Sequence, residues 1–235
     1  MISDDVFHYL QALKDANTDI AFISSSTPPL PVSTLHKALD WASCAITRPN
    51  EGYDFGSWKA GIDHLGDVTS GYRRILFAND SVYGPLVPLA PLLELWDQVG
   101  TEVMALTESY ERQYHLQSYF WGVKGSALEG GFFDYFWRRH YRPAKSRNDA
   151  IKRFELFIHE AACAQFGLTA APLFKLQDLT TFNAANNPTK FNPMHHGALE
   201  LVTDHQFPFL KREFIDRNPY NLASVDAAKR LLRAR

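Results

Sequence analysis

Several short polar runs in this 235-residue sequence hold residue types suited to chemistry on a charged ligand. The first is Asn79-Asp80-Ser81, which follows the apolar run Ile75-Leu76-Phe77-Ala78. That run predicts a buried strand with an abrupt polar stop. A carboxylate at such a stop can hold a divalent cation that bridges two phosphates and neutralises charge on a leaving group. A lone strand-end aspartate serves equally well to cap a turn or a following helix, and that plainer role stays open. The second run, residues 50–59, contains Asn50, Gly52, Asp54 and Gly56. Its glycines permit positive φ and close approach of backbone to a ligand. Asp54 can receive a ribose or sugar hydroxyl, and a helix beginning near Ser57 offers free amide donors. Tyr53, Phe55 and Trp58 read equally as packing residues.

The third run, His115-Leu116-Gln117-Ser118-Tyr119-Phe120, alternates polar and apolar residues as the entry of a half-buried strand does. His115 reads as a metal ligand or phosphate contact, or as a structural histidine bonded to backbone. Glu155 sits in a helical pattern among Phe154, Leu156 and Phe157, which predicts a partly buried carboxylate. Lys211 and Arg212 form a cationic pair suited to phosphate, or simply a solvated one.

The elements that must position these residues follow from periodicity and punctuation. The pattern predicts helices over 4–16, 33–43 and 57–65, alternating with strands over 19–25, 44–48 and 74–78. That order is the signature of an α/β fold, a mostly parallel sheet flanked by helices, which binds ligands at the carboxyl ends of its strands. Both polar turns, 50–56 and 79–81, fall at that edge. Further on, helices are expected over 89–99, 132–140, 151–166, 208–217 and 224–234, strands over 103–106 and 119–124, and a loop over 177–191. Such a sheet ordinarily opens on a strand; this sequence opens on a helix.

Composition narrows the classes. With 46% hydrophobic residues and a net charge of -2, the chain reads as folded, and a general nucleic-acid binder is excluded for want of basic excess. Cys44 and Cys163 read as buried free thiols. The acidic start lacks the apolar segment of a signal peptide, and no apolar run nears the roughly 18 residues that span a bilayer. A cytoplasmic setting is expected.

Taken together, NEGYDFGSWKAGI (50–62), ILFANDSVYGPL (75–86) and HLQSYF (115–120) resemble the rhamnan synthesis protein F family. DDVFHYLQAL near the start, RFE (153–155) and PFLKREFIDRNP (208–219) fit the resemblance in order. It implies a single glycosyltransferase-like domain over 1–235, of the GT-A type. Residues 1–106 would form its nucleotide-sugar half and 107–235 its acceptor and catalytic half. It implies transfer of a sugar, such as rhamnose from dTDP-rhamnose, to a surface polysaccharide or lipid-linked glycan. Such an enzyme would work at the inner membrane face or within a multidomain assembly. On that analogy Asn79-Asp80-Ser81 stands where an Asp-x-Asp motif would bind Mg²⁺ or Mn²⁺ and diphosphate, with one carboxylate in place of two. His115 would then be the second metal ligand. Asn50, Gly52, Asp54, Gln117 and Lys211 join Asn79, Asp80, Ser81 and His115 as donor contacts, and Glu155 takes the place of the catalytic base. The resemblance also implies a strand ahead of the first helix that helps form the nucleotide pocket. The alternative is a non-catalytic nucleotide-sugar- or glycan-binding domain of a polysaccharide-assembly protein.

Overall fold

The computed structural model describes residues 2–185 and 188–234. Asn186 and Asn187, inside the loop expected over 177–191, lie outside the described residues.

Helix α1 (Asp4–Asp15) places Tyr9, Leu10 and Leu13 on one buried face. Strand β1 (Ala21–Ser24), helix α2 (Val32–Ala38) and strand β2 (Cys44–Thr47) follow, and β1 pairs with β2 in parallel. Helix α3 (Tyr53–Leu65) begins a turn earlier than the sequence predicts. Gly52, at φ +77°, takes the left-handed entry, so Gly56 lies inside the helix. A side chain on Gly56 would meet the Glu51 carbonyl, which explains the glycine without a ligand.

Strand β3 (Arg74–Ala78) ends at Asn79, and the short β4 (Val82–Tyr83) follows. Helix α4 (Ala90–Gln98) leads into β5 (Val103–Ser109), β6 (His115–Leu116) and β7 (Phe120–Lys124). Strands β8 (Ala170–Phe174) and β9 (Leu210–Lys211) come from the later part of the chain. The order in the main sheet is β3-β7-β5; β6 leads into β7 and pairs with β5 further along, and β8 pairs with β5 in parallel. The fold is α/β, with helices on both sheet faces. Its strand directions are mixed: β1–β2 and β5–β8 are parallel, while β3–β7, β5–β7, β5–β6 and β4–β9 are antiparallel. The connection from β5 to β6, residues 110–114, is too short for a helical crossover, so β6 and β7 return antiparallel to β5.

Period-two burial organises the core. Val103 and Ala105 of β5 point to one face, packed with Trp121, Trp137 and Phe154. Met104 and Leu106 point to the other, packed with Trp96, Phe120 and Phe209. Both faces are dry, as a two-sided sheet requires. Each fully buried aromatic or aliphatic side chain there contributes roughly 1.5–3 kcal/mol relative to exposure.

Between β1 and β3 the sheet layer is interrupted. A cavity of about 1000 Å³ runs between them, lined by consecutive residues from Asp19 to Ser26 on one side and from Arg73 to Asp80 on the other. Neither strand pairs with the other; β1 bonds to β2 and β3 to β7.

Candidate functional site

At the carboxyl end of β3 the chain turns on Asn79. Its side-chain Oδ1 accepts from the Ser81 amide at 3.1 Å and from Ser81 Oγ at 2.5 Å, while its own amide bonds to the Tyr119 carbonyl. The turn is thus closed locally by an asparagine side chain, which leaves Nδ2 free to reach elsewhere. Nδ2 donates to Asp54 Oδ2 at 2.9 Å, tying the end of β3 to the first turn of α3. On the far side, β9 pairs with β4 in the register Val82↔Lys211. That register delivers Lys211 Nζ to Ser81 Oγ at 3.0 Å. Arg212 donates through its main-chain amide to the Ser81 carbonyl at 3.0 Å and through Nε to the Asp80 carbonyl at 2.6 Å.

Glu155 reaches the same place from a helical run over 147–165, which winds as π-helix at Ile151–Glu155 and Ala161–Gln165 and as α-helix between them. Such π-turns recur at functional sites because they re-aim one side chain. Glu155 Oε2 accepts from the Ser118 amide at 3.0 Å and from the Ser118 hydroxyl. Its other oxygen stands 3.8 Å from His115 Nε2. The side chain keeps 21% of its surface, enough to meet a ligand while Ser118 holds it still.

The charges feel one another. Asp54 keeps accessible surface on its open side, but protein crowds it elsewhere, and burial pushes its carboxyl above the usual range. The Asn79 amide pulls it back, Asp80 pushes it up, Lys211 lowers it and Glu155 raises it. Half-exposed Lys211 is likewise walled in. Burial lowers its ammonium pKa, against the pull of Glu155 and Asp54. Four segments therefore bring Asp54, Asn79, Asp80, Ser81, Glu155 and Lys211 into one charge-coupled cluster.

Other expected residues fall outside it. Asn50 is exposed on the loop before α3 and does not line the cavity. Gly52 is buried, and a side chain there would meet Tyr141 Oη at 2.7 Å, so its close approach is to the protein itself. Gln117 binds inward, accepting from Thr107 Oγ1 at 2.8 Å and facing Asn192. Cys44 and Cys163 are free but half-buried rather than buried. Ser118, which sets the orientation of Glu155, lies inside the HLQSYF run. Its alternation was the available signal, but its partner is 37 positions away.

The expected metal pair of Asp80 and His115 does not form. His115 Nδ1 bonds to the Gln113 carbonyl at 2.9 Å and its Nε2 faces Glu155, whereas Asp80 is exposed beside Arg212. No group of three or more His, Cys, Asp or Glu among the described residues could hold a metal ion. A fixed ammonium in the turn adds repulsion. The expected two-ligand site for Mg²⁺ or Mn²⁺ is therefore not formed by Asp80 and His115.

The cluster lies at the carboxyl end of a strand in an α/β domain, the edge where such sheets bind ligands. Sequence comparison is more specific: the family described as "Rhamnan synthesis protein F" matches residues 20–234, and the chain belongs to that family. It is 29% identical over 210 residues to "Virulence protein VirA" of Vibrio anguillarum, covering 80% of this chain and 66% of the Vibrio protein. A shorter match, 25% over 104 residues, is to "Uncharacterized protein y4gN" of Sinorhizobium fredii, covering 43% of this chain and 27% of that protein. No solved structure matches. No helix among the described residues is long and apolar enough to cross a membrane. The family's description is of rhamnan synthesis, and the chain spans 66% of the length of the Vibrio relative.

Proposed function

We propose that the chain is a sugar transferase of the GT-A type that takes a nucleotide sugar, such as dTDP-rhamnose, as donor and a growing or lipid-linked glycan as acceptor. The observation that carries this reading is the convergence of Glu155 and Lys211 with the Asn79-Asp80-Ser81 turn and Asp54. One carboxylate is held by Ser118 to take a proton, and a cation stands across the cluster to meet a phosphate.

In the proposed reaction, Glu155 Oε1, the oxygen not occupied by Ser118, accepts the proton of an acceptor hydroxyl. The oxygen attacks the anomeric carbon, a new glycosidic C–O bond forms, and the bond to the diphosphate breaks with its electron pair leaving on the phosphate oxygen. Asp54 and Asn79 orient sugar or ribose hydroxyls. Fixed donors aimed at the departing oxygen are the largest electrostatic lever available to such a site. The nucleotide would lie along the cavity between β1 and β3, whose mouth carries Ser24, Ser25, Ser26, Asp54 and Asn79.

A donor panel of dTDP-rhamnose and UDP- and GDP-sugars, followed for release of nucleoside diphosphate with and without glycan acceptor, tests the reading. Release from at least one donor, raised by acceptor, is expected. The second reading, a binding domain without turnover, is favoured by the open gap in the sheet layer. It predicts a thermal shift with a nucleotide sugar but no release.

A further inference from the structure

We infer that Lys211 and Arg212 supply the positive charge for the donor's diphosphate at the Asn79-Asp80-Ser81 turn, so that binding of a nucleoside diphosphate needs no divalent cation. This deepens the sugar-transfer reading and rests on it.

The two cations are built into the turn. Strand β9 pairs with β4 directly after Ser81 and ends at Lys211, and Arg212 opens the helix Arg212–Arg217 that follows, its amide bonded to the Ser81 carbonyl. Lys211 Nζ reaches Ser81 Oγ at 3.0 Å and lies 5.3 Å from the centre of the Tyr119 ring. Arg212 packs over Tyr83, with its guanidinium carbon 4.1 Å from the ring centre, and Nε is held by the Asp80 carbonyl. Arg212 lines the cavity, and Lys211 stands toward Glu155. A ligand at the turn would therefore meet a cation on each side, each oriented by an aromatic ring and a hydrogen bond.

The chemistry of the donor set points the same way. A divalent ion bridging a diphosphate is held by one or two carboxylates together with the phosphates and water. Here the expected partner of Asp80, His115, bonds to the Gln113 carbonyl and faces Glu155, while Asp54 and Glu155 each have one oxygen engaged, by Asn79 and by Ser118. Lys211 Nζ donates to the hydroxyl of Ser81, the residue next to Asp80. A phosphate, by contrast, would give Lys211 the counter-charge that burial makes it want, and Arg212 can offer a planar fork.

Calorimetric titration of UDP, dTDP and GDP into the full chain, once in excess EDTA and once in excess Mg²⁺, tests the inference. At least one is expected to bind in EDTA, with an affinity within about threefold of that in Mg²⁺. Lys211→Met is expected to weaken binding by about tenfold or more in both buffers, the loss of a charge-assisted hydrogen bond. Arg212→Met gives an independent variant should Lys211→Met lower the melting temperature. Binding in Mg²⁺ alone, or wild-type affinity in both variants, overturns the inference and leaves sugar transfer standing. No binding in either buffer overturns both.

Discussion

Strands β5 and β7 are paired along both edges, whereas β1 and β2 have one partner each and β1 faces a cavity of about 1000 Å³. The residues of the two regions are not very different in kind: Ala-Phe-Ile-Ser in β1 and Phe-Trp-Gly-Val-Lys in β7 are both apolar stretches. The difference is what surrounds them. The β7 side chains are enclosed by helices on both faces, with Trp121 stacked 4.7 Å from Phe77 and the backbone of Gly122 lying against Trp96. Those of β1 are half-buried, and Ile23 touches Gly61 of α3 across a narrow contact. The closed region fixes the position of Glu155, Ser118 and the Asn79 turn; the open region leaves room for a ligand. Rigidity on one side and space on the other is what a binding edge requires.

The comparison breaks most sharply under core truncation. Trp121→Ala should cost about 3–5 kcal/mol in urea unfolding, as expected for a large aromatic removed from a closed core. Ile23→Ala, beside an existing cavity, should cost less, at or below about 2 kcal/mol. Equal losses would mean that the two regions are equally packed.

A pH titration reads a third part of the molecule, around His195 and Glu200. His195, buried near Phe214 and Tyr220, has its pKa lowered from 6.5 to about 4, by burial first, with Glu213 opposing. Its folded pKa is below its unfolded one, so the unfolded chain binds the extra proton between those values. Stability should therefore fall as pH drops from about 6.5 to about 4, by up to about 3 kcal/mol if the full shift is realised. The loss should vanish in His195→Gln. Glu200 marks a lower window. Burial raises its pKa, but donors from Thr181 and Thr180 outweigh that and hold it at about 2, so its contribution is lost only below about 4.5.

Hydrogen exchange gives the finest contrast. Amides of β5 and β7 should exchange only through global unfolding, and those of β1 and β2 sooner, by local opening. A nucleotide that occupies the cavity should slow the β1 amides selectively. Uniform protection without ligand would contradict the open-edge description.

Much of this was legible in the residues themselves. Strand β3 runs over 74–78 as the apolar run predicts, because its polar stop is real chemistry: Asn79 closes a turn. Helix α1 follows from the placement of Tyr9, Leu10 and Leu13. Strand β8 was missed. Ala170-Ala171-Pro172-Leu173-Phe174 has little β propensity of its own, and parallel pairing with β5 decides its state. The antiparallel sense of β7 was not legible, because pairing direction is a property of neighbours, not of the strand. Within the site, Asp54, Asn79, Ser81, Glu155 and Lys211 were identifiable by type. The Ser118–Glu155 and Lys211–Ser81 contacts were not, since they join residues 37 and 130 positions apart. Gly52 shows why the loop before α3 was ambiguous: a glycine-containing loop looks the same whether its backbone approaches a ligand or Tyr141.

The most direct test of the central claim is the turnover of Glu155→Gln beside the wild type, with the donor that the panel identifies and with donor affinity measured on the same preparations. Glutamine can still accept a hydrogen bond from Ser118 but cannot take a proton at neutral pH. The account predicts donor affinity within about threefold of wild type and transfer slower by about 10²–10⁴-fold. Wild-type transfer in Glu155→Gln would contradict it.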